Sequence, residues 1–106
     1  MKLGIIIYTA QYEAVYNAFR IANFALKKGD SVKVFLLGEG VESVHFDSIE
    51  FDVKNQISTF QNANGEILAC GTCLDLRNSK EGDSCKYSNL SDLYEIVVQC
   101  DKVLSF

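Results

Sequence analysis

Cys70 and Cys73 stand three residues apart in Cys70-Gly71-Thr72-Cys73, and the run Glu66-Ile67-Leu68-Ala69 leads straight into them. Two thiols at that spacing can exchange a disulfide, hold a metal, or divide the roles of sulfur nucleophile and helper. Dithiol exchange of the thioredoxin kind places the pair after a first strand and sets a cis-proline opposite it. Here the pair lies two-thirds along a chain that contains no proline. A zinc site would need Cys85, Cys100 or His45 to complete four ligands. Cys85 and Cys100 have fourteen residues between them and form no second knuckle, although Cys85 is conceivable as a third ligand. No metal and no cofactor are therefore expected.

The neighbours favour a single nucleophilic thiol, Cys70, that carries a persulfide. A strand that ends on Cys70 and turns into a helix would surround the sulfur with backbone N–H groups and a positive dipole end, both of which lower a thiol pKa. Gly71 allows close backbone approach. Arg77, one turn beyond Cys73, adds positive charge, and Asp75 opposes it. Cys73 would then resolve or protect the carrier. The alternative is that Cys70 is an ordinary buried cysteine at a strand end.

The elements that must position these thiols follow from hydrophobic spacing. Leu3, Ile5, Ile6 and Ile7 form a continuous aliphatic run, the mark of a central parallel strand. Val15, Ala18, Phe19, Ala22 and Leu26 recur at steps of three and four from Gln11 to Lys28, a helix stopped by Gly29. Residues 32 to 37 form a second strand ended by Gly38-Glu39-Gly40, which completes a βαβ unit. Between Val41 and Asn64 the pattern supports strand and helix alike; a helix from about Asp52 to Gln61 is the better fit, closed by Asn62 to Gly65 with a left-handed glycine. Glu66 to Ala69 make the third strand.

Cys73 to Ser79 suit a short helix, and the polar stretch from Asn78 to Ser84 an exposed, mobile loop with Cys85 as an exposed thiol beside it. Lys86 to Ser88 form a weak strand. Ser91 reads as the N-cap of a last helix that packs through Leu93, Ile96, Val97 and Cys100, and residues 102 to 106 close the chain as a strand. The alternation predicts an α/β domain with a mainly parallel sheet of about five strands covered on both faces, and a site outside the strands' carboxyl ends. That edge collects Tyr8, Thr9, Gly38 to Gly40, and Cys70 to Cys73. Cys100 is expected in the core and His45 on the surface.

With 106 residues the chain is one small domain, residues 1–106, and 48% hydrophobic residues are enough for a packed core. A net charge of −4 with scattered lysines leaves no basic stripe to neutralise a phosphate backbone, so direct nucleic-acid binding is not expected. No Gly-x-Gly-x-x-Gly or phosphate-loop pattern follows a strand. The brief apolar N-terminal run, the lack of any membrane-length segment and four cysteines in a chain without a secretory signal point to a cytoplasmic protein with reduced thiols.

The order of features resembles the DsrE/DsrF family of small sulfur-relay proteins. The resemblance spans nearly the whole chain: the opening strand with Tyr8-Thr9, the helix end Ala25-Leu26-Lys27-Lys28-Gly29, the segments 32–41 and 66–77, Ser88-Asn89-Leu90-Ser91-Asp92-Leu93, and the closing 101–106. The strand-to-cysteine-to-helix piece is its most specific part, and Val44 to Val53 departs from the family pattern. The resemblance implies a three-layer α/β/α fold, trimeric or hexameric self-assembly, and a carrier cysteine at the position of Cys70. The expected function is a sulfur carrier or sulfurtransferase acting between donor and acceptor proteins. Cys70 and Cys73 would be its reactive residues, with Gly71, Thr72, Arg77 and Thr9 in support. The competing expectation is a non-catalytic interaction or small-ligand-binding subunit of such an oligomer.

Overall fold

The computed structural model describes residues 1–79 and 85–106. Five parallel strands form one sheet in the order β4-β3-β2-β1-β5, with β1 at Lys2–Ile7, β2 at Ser31–Leu36, β3 at Glu66–Cys70, β4 at Lys86–Ser88 and β5 at Lys102–Ser105. The helices are α1, Tyr12–Lys27; a 3₁₀ segment, Gly38–His45; α2, Val53–Asn62; α3, Gly71–Leu76; and α4, Leu90–Gln99. This is the expected α/β architecture with a mainly parallel sheet.

The aliphatic run of β1 is buried because the strand is central, between β2 and β5. Register sets Leu3, Ile5 and Ile7 beside Val32, Val34 and Leu36 on one face. On the other, Gly4 lies under α4, where a Cβ would overlap the Ile96 side chain. The first face carries a continuous apolar core that includes Phe19 of α1 and Phe60 of α2, packed edge-on with ring centroids 5.8 Å apart. Asn23 ties the two helices together by donating from Nδ2 to the Gln56 carbonyl at 3.1 Å.

Caps explain the boundaries. Gln11 precedes α1 and accepts from the Ala14 N–H at 3.3 Å, so the helix begins one residue later than its periodicity suggests. Asp52 caps α2 by accepting from the Asn55 N–H at 3.0 Å. The left-handed residue after α2 is Asn64, with φ of 68°, rather than Gly65. Gly65 is needed for a different reason: any Cβ there would overlap the Phe60 ring. In α4 the N-cap is Asn89, whose Oδ1 accepts from the Asp92 N–H at 3.0 Å, and Ser91 lies inside the helix. Of the apolar positions expected to seat α4, Ile96 is buried while Val97 is exposed.

Two further corrections concern the cysteines and the loops. Cys85 is buried, not exposed, because it enters the sheet immediately before β4. The expected mobile loop falls in part on residues 80–84, which lie outside the described residues. The stretch after β2 is a full 3₁₀ segment, longer than the simple turn its two glycines suggest.

Candidate functional site

The carboxyl ends of β1, β2 and β3 meet at one edge, and hydrogen bonds between strand ends hold them in step. Leu37 N–H donates to the Ile7 carbonyl at 2.9 Å, and Tyr8 N–H to the Phe106 carbonyl at 2.8 Å. The chain leaving β2 then folds back over the end of β1. Gly40 lies directly on the Ile7 carbonyl, where no side chain fits, and the Ser43 hydroxyl donates to the Gly40 carbonyl at 2.6 Å. Gly38 adopts φ of +58°, a conformation that favours glycine, and packs against the Tyr8 ring. These constraints aim the Gly38 N–H at the Cys73 sulfur, 3.2 Å away.

Cys70 is the last residue of β3 and the cap residue of α3, and it is buried at 5% exposure. Cys73 lies in the first turn of α3, partly buried, with its thiol in hydrogen-bonding reach of Cys70. Burial is the main force that raises the Cys73 pKa above the ordinary thiol value, followed by the hydrogen bond and the charge of Cys70; the Gly38 N–H and the Arg77 charge pull it down. Cys73 therefore holds its proton at neutral pH. All four cysteines are thiols.

Arg77 and Asp75 do not simply oppose each other across the thiols. The Arg77 Nε donates to Glu42 at 3.2 Å and its second nitrogen to the Cys73 carbonyl at 3.2 Å, which braces α3 against the 3₁₀ segment. Asp75 accepts from the Tyr87 hydroxyl at 2.8 Å, and that carboxylate, ahead of partial burial, raises the Tyr87 pKa. The Tyr87 ring lies against Gly71, so the close approach that Gly71 permits is made by a tyrosine. On the sheet, register sets buried Ser88 beside Cys70, and Ser88 donates to Asp92 at 2.6 Å.

The remaining expected residues are distributed unevenly. Thr72 is exposed on α3. The Thr9 hydroxyl accepts from the Gln11 N–H at 3.1 Å and so serves the turn into α1. Cys100 ends α4 over Gly4, toward the other end of the sheet, and burial is the main cause that raises its pKa. Strand alternation puts Cys85 on the sheet face opposite Cys70, since Lys86 and Ser88 share the Cys70 face. His45 is exposed, with Nε2 at 3.3 Å from the Ser79 hydroxyl. Among the described residues no three His, Cys, Asp or Glu side chains converge as a metal site.

Tyr8 and Gly38 stand at the edge expected for them, but their contacts there were not foreseen, and Glu42 and Tyr87 were not expected near the thiols at all. Only the two glycines after β2 could have signalled this. An open cleft of about 590 Å³, lined by neither Cys70 nor Cys73, runs past Arg77, Glu42 and His45 to the stacked rings of Tyr12 and Phe46. The arrangement provides a buried sulfur at a strand end, a second sulfur one helical turn on, and one backbone N–H directed at that second sulfur.

The model of the DsrE/DsrF-like family matches residues 1–106. The uncharacterized protein MJ0989 of Methanocaldococcus jannaschii is 33% identical over all of this chain and all of its own length. The uncharacterized protein MK0008 of Methanopyrus kandleri is 30% identical, covering 98% of this chain and 93% of its own. Among solved structures, the ychN protein from E. coli superposes with a TM-score of 0.90 at 22% identity, over 100% of this chain and 99% of that one. This likeness shows the fold, a five-stranded parallel sheet consistent with three α/β/α layers. No helix among the described residues is long and apolar enough to cross a membrane.

Proposed function

We propose, for a chain that belongs to the DsrE/DsrF-like family, that it carries sulfur as a persulfide on Cys70. The Cys70 thiolate attacks the outer sulfur of a donor persulfide, forms a new S–S bond and expels the donor thiolate; an acceptor thiolate later takes the outer sulfur by the same substitution. Membership of the family suggests a role related to sulfur relay. The observation that carries the finer reading is the placing of Cys70 at the cap of α3 and Cys73 in its first turn, with the Gly38 N–H fixed on the second sulfur. Cys73 serves as the proton-bearing neighbour of the carrier, and donor and acceptor are proteins that dock at the carboxyl edge of the sheet.

Self-assembly into a trimer or hexamer belongs to the same proposal. Phe24 on α1 is 56% exposed, and β5, an edge strand, presents Val103 and Leu104 beside it. An exposed apolar patch next to an unpaired strand edge is a surface that a second copy can cover.

The burial of Cys70 favours a second reading, an interaction subunit with no turnover. Intact mass after incubation with glutathione persulfide separates the two. Sulfur carriage predicts a species one sulfur atom heavier that Cys70→Ser abolishes and Cys100→Ser retains. An interaction subunit gives no adduct on the wild-type chain.

A further inference from the structure

We infer that Cys73 discharges the persulfide of Cys70, releasing the outer sulfur as hydrogen sulfide and closing a Cys70–Cys73 disulfide. The inference rests on the sulfur-carrier reading and adds to it a second, terminating activity. It follows from where the second thiol stands. Cys70 caps α3 and Cys73 stands at the third position of that helix, within hydrogen-bonding reach of the atom that bonds to the cargo.

The substitution is balanced without an outside oxidant. The Cys73 sulfur, as thiolate, attacks the inner sulfur borne by Cys70; the new bond joins the two cysteine sulfurs, and the bond from Cys70 to the outer sulfur breaks. Hydrosulfide leaves with the electron pair and takes up the proton that Cys73 gave up, so a persulfide and a thiol become a disulfide and hydrogen sulfide. The outer sulfur is reduced to the sulfide level as the Cys73 sulfur is oxidised, while the Cys70 sulfur exchanges one S–S bond for another. A small dithiol or thiol reductant is the class of co-reactant that must then reopen the disulfide for another round.

Three features of the chain suit this step. Cys70 and Cys73 stand three residues apart at the start of α3, a spacing that puts their side chains on one side of the turn. The Gly38 N–H, held by a left-handed backbone and by the Gly40 loop, donates to the Cys73 sulfur and stabilises it as it ionises. Arg77, fixed to Glu42 and to the Cys73 carbonyl, places a positive charge nearby. The raised pKa of Cys73 keeps discharge slow at neutral pH and makes it accelerate as pH rises, which gives the carrier time to meet an acceptor.

The test charges the full chain with glutathione persulfide, removes the donor by desalting, and follows intact mass and free sulfide together. Wild type is expected to pass from a species one sulfur heavier to a species two hydrogens lighter than the starting chain, with one equivalent of sulfide released. In Cys73→Ser the heavier species should persist at least about tenfold longer and no lighter species should form, since an intramolecular attack has been removed. Should wild type and Cys73→Ser hold the extra sulfur equally long, discharge by Cys73 is refuted and carriage on Cys70 stands. Should neither chain ever gain sulfur or release sulfide, carriage itself fails and discharge with it. The lighter species in wild type is a readout that requires no variant to fold.

Discussion

The Cys73 thiol is set by four influences at once: burial and the Cys70 sulfur raise its pKa, while the Gly38 N–H and Arg77 lower it. Its alkylation by iodoacetamide should therefore have a midpoint above the ordinary thiol value of about 8.5. In Cys70→Ser the midpoint should fall, yet stay above that value, because burial is the largest cause. A midpoint unchanged in Cys70→Ser would show that the two sulfurs do not interact. The same shift acts on stability. A thiol whose pKa is raised by folding leaves stability intact below the ordinary thiol range and withdraws it as pH climbs through the folded value. Cys73 and Cys100 both lie on this side, so Tm should drop from pH 8 to pH 10 by less in Cys73→Ser than in wild type, as differential scanning calorimetry would read. Cys70's place was legible because an apolar strand candidate ran into it. The Gly38 contact, which bridges 35 positions of sequence, and the burial of Cys85 beside a polar stretch were not, since each depends on strand pairing rather than on neighbours in the chain.

At the scale of elements, hydrophobic period located β1, α1, α2 and α4, while caps and loops decided where each began and ended. The N-cap of α4 illustrates the limit. Asn89 and Ser91 both precede an acid-bearing first turn, and only the extended backbone at Asn89 selects it. The segment after β2 shows the same thing at the site. Gly38 and Gly40 read in the sequence as the stop of a strand, yet one supplies a left-handed backbone and the other room for the Ile7 carbonyl. Gly40→Ala should destabilise the chain by about 2–3 kcal/mol, the cost of overpacking against immovable backbone, and roughly 4–8 °C of Tm per kcal/mol follows at this size. Gly29→Ala, where φ is +92° but space is open, should cost only about 1–2 kcal/mol of backbone strain. Thermal melts of the two variants compare them directly; a smaller loss in Gly40→Ala would contradict the close packing of this loop on β1.

The whole molecule brings the thiols to the edge where parallel strands end and leaves another surface unfinished. One sheet face is sealed by α1 and α2, but β5 and the exposed Phe24 border each other with apolar side chains in water. The α/β class and strand sequence were legible from the alternation of elements; the strand order, with β5 returning beside β1, required the fold. Light scattering should give the wild-type chain a mass several times that of one copy and Phe24→Asp/Leu104→Lys the mass of a single copy, whereas equal masses would place the assembly surface elsewhere. All of this matters for function only if Cys70 takes up sulfur. The most direct measurement charges the chain with glutathione persulfide, blocks every sulfur with an alkylating reagent, and maps the extra sulfur by peptide mass spectrometry. The extra sulfur should lie on the peptide that carries Cys70 and be absent from those that carry Cys85 and Cys100; extra sulfur on Cys85 or Cys100, or none on any peptide, would contradict a Cys70 carrier.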